Sequence, residues 1–219
     1  MNFKPGKIFP EVNGPKIFLI GYNKCGTKTF HDFFRKNGLR SLHFRKKYGP
    51  FKGAHLARSM EENSKSGKNI LDGVSRYQVY SDMVYVDNDT AIEANKFFRE
   101  LDSHYPGSHF IFNDRPVEDW IRSRINHVGG PYNSFIERWQ NATGLSREAV
   151  IDFWRTEYFQ HKKQVLEYFQ GRPDFMHFDL TRHSVSDLVS FLSPAYRLDA
   201  DKWAVKGTTK ERNRKYKLT

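Results

Sequence analysis

The sequence predicts an α/β fold in three layers, with a central, mainly parallel sheet flanked by helices. Three observations predict it. Short apolar runs too brief for helices recur along the 219 residues, as at Ile17-Phe18-Leu19-Ile20 and at Phe110-Ile111-Phe112. Between them lie segments whose apolar residues repeat at helical spacing, and Asn-Gly or Pro-Gly signals separate the two kinds. Strands and helices alternating in this way build a parallel sheet whose strands are buried on both faces.

Taken in order, residues 1–15 read as an extended lead-in, polar and punctuated by Pro5, Pro10 and Pro15. The first strand occupies 17–20 and ends at Gly21. After a turn, Phe30, Phe33 and Phe34 share one helical face, and Asn37-Gly38 closes that helix. Further strands are predicted at 41–44 and 78–81, with a polar surface helix and loop over 58–68 between them. Ala94, Phe97, Phe98 and Leu101 stripe a helix over 90–104, which Pro106-Gly107 ends. A strand follows at 109–112. Pro116 is tolerated in a first helical turn, and Glu118 and Asp119 favour the same turn electrostatically, so a helix runs to about Asn126. Val150, Trp154, Tyr158, Val165 and Phe169 mark a long helix from near Ser146 to Gly171. A last strand at 175–178 precedes a helix carrying Val185, Leu188, Val189 and Leu192, capped by Ser184.

This length suits one sizeable core, so residues 1–219 are expected to form a single domain ending in a basic tail over 204–219. Thirty-six Lys and Arg against 25 Asp and Glu leave a charge of +11, which favours anionic partners. Nineteen Phe, eleven Tyr and four Trp supply large buried surfaces and exclude a disordered basic chain. Cys25 is the single cysteine, which excludes an intramolecular disulfide and fits a reducing, cytoplasmic compartment. No apolar run reaches the length of a membrane span, and the polar start lacks the pattern of a signal peptide.

The segment GYNKCGTKTF follows the first strand and opens the first helix. Backbone N–H groups and the helix dipole would converge there on an anion. Gly21 and Gly26 permit the tight turn, Lys24 brings a mobile charge, and Thr27 and Thr29 bring hydroxyls. The plainer reading is an ordinary strand-to-helix connection in a basic protein. The nucleoside-triphosphatase pattern places Lys directly after its second Gly, whereas here Thr27 intervenes before Lys28.

The order Gly-x-x-Lys-x-Gly-Thr, at Gly21, Lys24, Gly26 and Thr27, resembles the donor loop of the sulfotransferase superfamily that uses 3'-phosphoadenosine 5'-phosphosulfate. A second segment, FIFNDRPVEDWIRS, is similar to that superfamily's 3'-phosphate element, in which an Arg at a strand end and a Ser eight positions later bind the ribose phosphate. Arg115 and Ser123 have that spacing, with Ser123 about two turns into the helix. The alternative is that Arg115 pairs with Asp119 and Ser123 is solvated. GLRSLHF and YSDMVY are similar to bacterial-type sulfotransferases. The resemblance covers roughly residues 17–44 and 80–124. It departs at Asn23, where Pro, Gln or Arg is usual, at Lys28, an extra charge, and at Asn113-Asp114, where apolar residues are commoner.

The resemblance implies a P-loop-type fold and a sulfotransferase with 3'-phosphoadenosine 5'-phosphosulfate as co-substrate. It places the donor among Asn23, Lys24, Cys25, Gly26, Thr27, Lys28 and Thr29, with Arg115 and Ser123 on the 3'-phosphate. In many members a late Lys or Arg with Gly covers the adenosine; Lys206-Gly207 matches this, and a flexible basic tail is the other reading.

Sulfuryl transfer depends on positioning and charge stabilisation, with a general base to activate the acceptor hydroxyl. Lys24 is expected at the leaving oxygen. His43 and Asp82, each at a strand end, are the leading base candidates, ahead of His55 in a loop and His31 on the first helix. No metal is expected, and no His or Cys cluster has ligand spacing. A carbohydrate or small-molecule hydroxyl is the expected acceptor. Two other functions remain open: a P-loop kinase using Lys28 and Thr29, and a nucleic-acid binder using Arg45-Lys46-Lys47 and the tail from Lys210 to Lys217.

Overall fold

A computed structural model describes residues 14–46, 53–127, 134–193 and 195–206. Its centre is a five-stranded sheet built from β1 (Ile17–Leu19), β2 (Ser41–His43), β3 (Val79–Ser81), β6 (His109–Asp114) and β7 (Phe175–Asp179), in the order β2-β3-β1-β6-β7. Every pairing in it is parallel. A separate antiparallel hairpin pairs β4 (Val84–Val86) with β5 (Ala91–Glu93).

Side chains leave a strand alternately on its two faces, and the core divides accordingly. Phe18, Ile20, Tyr80, Phe110 and Phe112 pack on one side against α2 (Leu56–Lys65), α3 (Phe98–His104) and the end of α6 (Arg147–Tyr168). Ile17, Leu19, Val79, Ile111 and Phe178 face the other way, onto α1 (Thr27–Lys36) and α7 (Val185–Leu192). On α1 the anchors are Phe30, Phe33 and Phe34, all buried, each contributing about 1.5–3 kcal/mol by burial. A further cluster joins the hairpin to α4 (Val117–Ile125), α5 (Phe135–Thr143) and α6 through Trp120, Phe135, Trp139 and Trp154.

The strand–helix alternation read from the sequence is the architecture observed, with two differences. The stretch 90–104 is not one helix: β5 comes first, then a 3-10 turn over Ala94–Phe97, then α3. The cause lies upstream, where the Asp87 carboxylate accepts from the N–H groups of Asp89 and Thr90 and reverses the chain into a hairpin. Helix α5 was not anticipated, although Ser134 and Glu137 form a capping box in front of it.

The carboxyl ends of β2, β3, β1 and β6 lie side by side. Among the described residues, three non-glycine residues adopt left-handed backbone angles, namely Lys24 (φ 68°), Phe44 (φ 63°) and Asp82 (φ 57°). They follow β1, β2 and β3 respectively, on three adjacent strands. Such conformations cost about 1–3 kcal/mol and concentrate where function demands them.

Candidate active site

Gly21 leads out of β1 where the chain touches β6. A Cβ at that position would stand 2.1 Å from the Asn113 carbonyl oxygen, so the contact admits only glycine. The fully buried Asn113 side chain then grips the loop at both ends. Its Oδ1 accepts from the Gly21 N–H at 3.0 Å, and its Nδ2 donates to the Cys25 carbonyl at 2.7 Å.

Between these two anchors the backbone turns through Lys24, and Gly26 (φ 73°) opens α1. No side chain caps this helix and its first turn carries no acidic residue. The N–H groups that a helix leaves unpaired at its start, with the positive end of its dipole, therefore serve the loop. An anion would be stabilised there.

The individual loop residues divide by direction. Lys24 is half-buried and Lys28 is exposed. Thr27 and Thr29 are buried. Asn23 turns inward: its Oδ1 accepts from Arg124 Nε at 2.9 Å and its carbonyl accepts from Trp120 Nε1 at 2.9 Å. Cys25 is enclosed, and burial pushes its thiol up to about 12, so it stays protonated.

The late Lys206 also reaches this loop. Trp203 packs edge-on against Phe30 and Phe33 of α1, with ring centroids 5.1 and 5.2 Å apart. The next turn of chain brings the Lys206 N–H to Thr29 Oγ1 at 3.0 Å. Gly207 and the rest of the basic tail lie outside the described residues, as do Lys47 and residues 1–13 of the lead-in.

The second sequence element meets the first directly. β6 ends at Asp114, Arg115 follows, and its Nη1 donates to the Lys24 carbonyl at 3.1 Å. Ser123 is half-buried on α4. Asp119, the alternative partner for Arg115, lies instead 3.3 Å from Arg122. Asp114 is held by Lys162 Nζ at 2.6 Å, His177 Nε2 at 2.7 Å and the Tyr158 hydroxyl. Burial opposes its charge, but these hydrogen bonds prevail and bring its carboxyl down to about 2.

The acid–base candidates gather at the ends of β2 and β3. His43 Nε2 lies 3.4 Å from Asp82 Oδ2. Burial pushes the Asp82 carboxyl up to about 6, against the opposing pull of Lys24 and Arg124. A carboxylate poised near neutral pH within the field of the loop lysine is suited to proton removal. His31 belongs to the same group, its ring centroid 5.1 Å from that of His43 and its Nδ1 2.8 Å from Ser41 Oγ. His55 packs between Phe44 and Tyr85, and burial, with Arg45 and Arg58 nearby, lowers its pKa.

Three residues that hold the loop were not among the predicted site residues: Asn113, noted only as a departure, Arg124 and Glu93. Arg124 is fully buried, 4.2 Å above the Trp120 ring, with Nη2 2.8 Å from Glu93 Oε1. Burial works against the Glu93 charge, but Arg124 and Lys96 hold its pKa below the usual range. This ion pair carries Asn23, and so supports the loop from beneath. The two polar residues Asn113-Asp114 in an otherwise apolar strand were the available signal for part of it.

A family model described as a sulfotransferase domain matches residues 16–171. The chain belongs to the sulfotransferase family. It therefore belongs with transferases, and the donor-type loop, the Arg115 element and the His43–Asp82 pair of this sulfotransferase domain all fall within the matched span. Lys206 lies beyond it. Among solved structures, the chain is similar to a sulfotransferase from Alicyclobacillus acidocaldarius, at 16% identity over 94% of this chain and 92% of that one, with a TM-score of 0.48. No curated protein matches the chain. Among the described residues, no helix is long and apolar enough to cross a membrane, and no three His, Cys, Asp or Glu side chains are grouped to hold a metal ion.

Proposed function

We propose that this sulfotransferase moves a sulfuryl group from 3'-phosphoadenosine 5'-phosphosulfate to an acceptor hydroxyl on a carbohydrate or another small molecule, acting as one domain in the cytoplasm. The observation that carries this reading is the hydrogen bond from Arg115 to the Lys24 carbonyl. It joins two elements 91 positions apart, each of a type that takes one of the two phosphate groups of such a donor.

The donor residues fit the group. The capless start of α1, the left-handed turns at Lys24 and Gly26 and the Thr27 hydroxyl suit the 5'-phosphate; Arg115 and Ser123 suit the 3'-phosphate. Asn23 and Cys25 would contribute through their backbone, and the resemblance assigns Lys206-Gly207 to the adenosine. When bound, the co-substrate supplies the sulfuryl group and a phosphate leaving group. Lys24 would stabilise charge on the leaving oxygen. Asp82, with His43 beside it, would take the acceptor hydroxyl's proton as the acceptor oxygen bonds to sulfur and the sulfur–oxygen bond to the 5'-phosphate breaks. Charge is handled by Lys24, Arg115 and backbone N–H groups, and the reading calls for no metal. The +11 charge suits an acidic acceptor. For a kinase, Lys28 and Thr29 would carry the chemistry, but Lys28 is exposed and Thr29 is tied to Lys206, so neither favours that reading.

The test is calorimetric titration with 3'-phosphoadenosine 5'-phosphate in the absence of magnesium, together with labelled-sulfate transfer to a panel of acceptors by the wild type and by Lys24→Ala. Binding without magnesium and loss of labelled product in the variant are expected. Magnesium-dependent ATP binding with none for the bisphosphate, or labelled product that survives Lys24→Ala, overturns the assignment.

A further inference from the structure

Arg115 is held at both ends. Its guanidinium is fixed by the Lys24 carbonyl. Its peptide is fixed by a side chain from a different helix. The Tyr158 hydroxyl accepts from the Arg115 N–H at 3.3 Å and lies 2.6 Å from the Arg115 carbonyl oxygen, so one phenol brackets both polar groups of the residue. The same hydroxyl meets Asp114 Oδ1, which itself accepts from the Arg115 N–H at 2.8 Å.

The phenol cannot drift. Its ring is packed against Trp120 at 4.7 Å and against Tyr22, the residue before Asn23, at 5.7 Å. Asp114 is fixed from the far side by Lys162, one turn along α6, and by His177 on the neighbouring strand β7. The charges facing Asp114 are thus Lys162, with His177 beside it, and the carboxylate of Asp179, its register partner on β7; the acid–base pair takes no part. Nothing in proton transfer needs such an arrangement at the end of β6. Holding one arginine at a set distance from the loop does.

We propose that Tyr158 and Asp114 are positioning residues that aim Arg115 at the ribose 3'-phosphate, and so set the preference for 3'-phosphorylated nucleotides over those lacking that group. The inference rests on the cofactor reading above. The Lys24 carbonyl holds the guanidinium, and Tyr158 with Asp114 hold the peptide from which the side chain sets out; a displaced peptide would carry the guanidinium off a phosphate that it binds bidentately, whereas a fixed one keeps it in place. A general loosening of the fold weakens all nucleotides together. A misaimed Arg115 weakens only those carrying the 3'-phosphate.

That difference is the test. Dissociation constants for 3'-phosphoadenosine 5'-phosphate and for 5'-AMP are measured by titration on the wild type, Tyr158→Phe and Asp114→Asn, with thermal melting to verify that each variant is folded. Tyr158→Phe keeps the ring contacts and removes only the hydroxyl. It should weaken the bisphosphate by roughly 5- to 30-fold, in line with loss of hydrogen bonding at a charged site, and change 5'-AMP by less than about twofold. Asp114→Asn should shift the same ratio in the same direction. A wild type without preference for the bisphosphate overturns the cofactor reading and this one with it. A wild-type preference that both variants retain, or an equal loss for both nucleotides, overturns the positioning role alone.

Discussion

Asn113→Ala tests whether the loop is held from the sheet or holds itself. The substitution deletes an acceptor 3.0 Å from the Gly21 N–H and a donor 2.7 Å from the Cys25 carbonyl. Asn113, Gly21 and Cys25 are all buried, so water does not readily replace either partner. Leaving a buried backbone group unsatisfied costs about 1–3 kcal/mol, so the pair amounts to about 2–6 kcal/mol. For a domain of this size that corresponds to a fall in melting temperature of roughly 4–24 °C. Asn113→Asp sharpens the test, because it is nearly isosteric and keeps the acceptor for Gly21. It turns the donor for Cys25 into an oxygen facing an oxygen and places a charge in an enclosed site, so it should destabilise at least as much as Ala. Differential scanning calorimetry of the three proteins decides the matter. If Asp melts within about 2 °C of the wild type while Ala falls, side-chain volume is what counts at this position, and the two-point grip is wrong.

Three further substitutions have expected outcomes. Asp82→Asn should remove an activity limb that rises through pH 6 in the wild type, and should lower the plateau by roughly 100- to 10,000-fold. Because folding raises the Asp82 pKa from about 4 to about 6, stability is lost as the pH rises through that interval, and the full cost of its ionisation stands above pH 6. The variant should therefore be the more stable protein at pH 8, by roughly 2–3 kcal/mol, with the difference gone at pH 4. Initial rates and urea midpoints across pH 4–8 measure both effects, and an activity limb that persists in the variant assigns the base elsewhere. Gly21→Ala should prevent folding or melt far below the wild type, since its Cβ would collide with the Asn113 carbonyl. Gly38→Ala, at φ 84° with nothing within 4 Å, should cost only about 1 kcal/mol by the same melts.

The parallel sheet was legible because its strands are short unbroken apolar runs, and because the loop residues sit between one such run and an amphipathic helix. The hairpin was not, since Val84, Tyr85 and Val86 carry no polar alternation and its turn depends on a single carboxylate at Asp87. In the candidate site, Lys24, Arg115 and Ser123 were singled out because the motifs that carry the resemblance are short and local. Asn113, Glu93, Arg124 and Tyr158 act across 31 to 101 positions of sequence. Long-range partners of this kind leave no periodic trace. At Asn23 the long-range partner is the buried Arg124, whose Nε donates to its Oδ1.

The contact between Lys206 and Thr29 spans 177 positions, and it has a bearing on how the protein is made. At roughly 5–20 residues per second, a ribosome needs roughly 10–35 s to add Lys206 after Thr29. For all that time the first strand and helix exist without the segment that closes over them. β1 is also the middle strand, flanked by partners that emerge later. The nascent chain thus carries the loop at the start of α1 unfinished while the 177 positions between its two partners are added, and a nucleotide met along the way would find a half-built cradle.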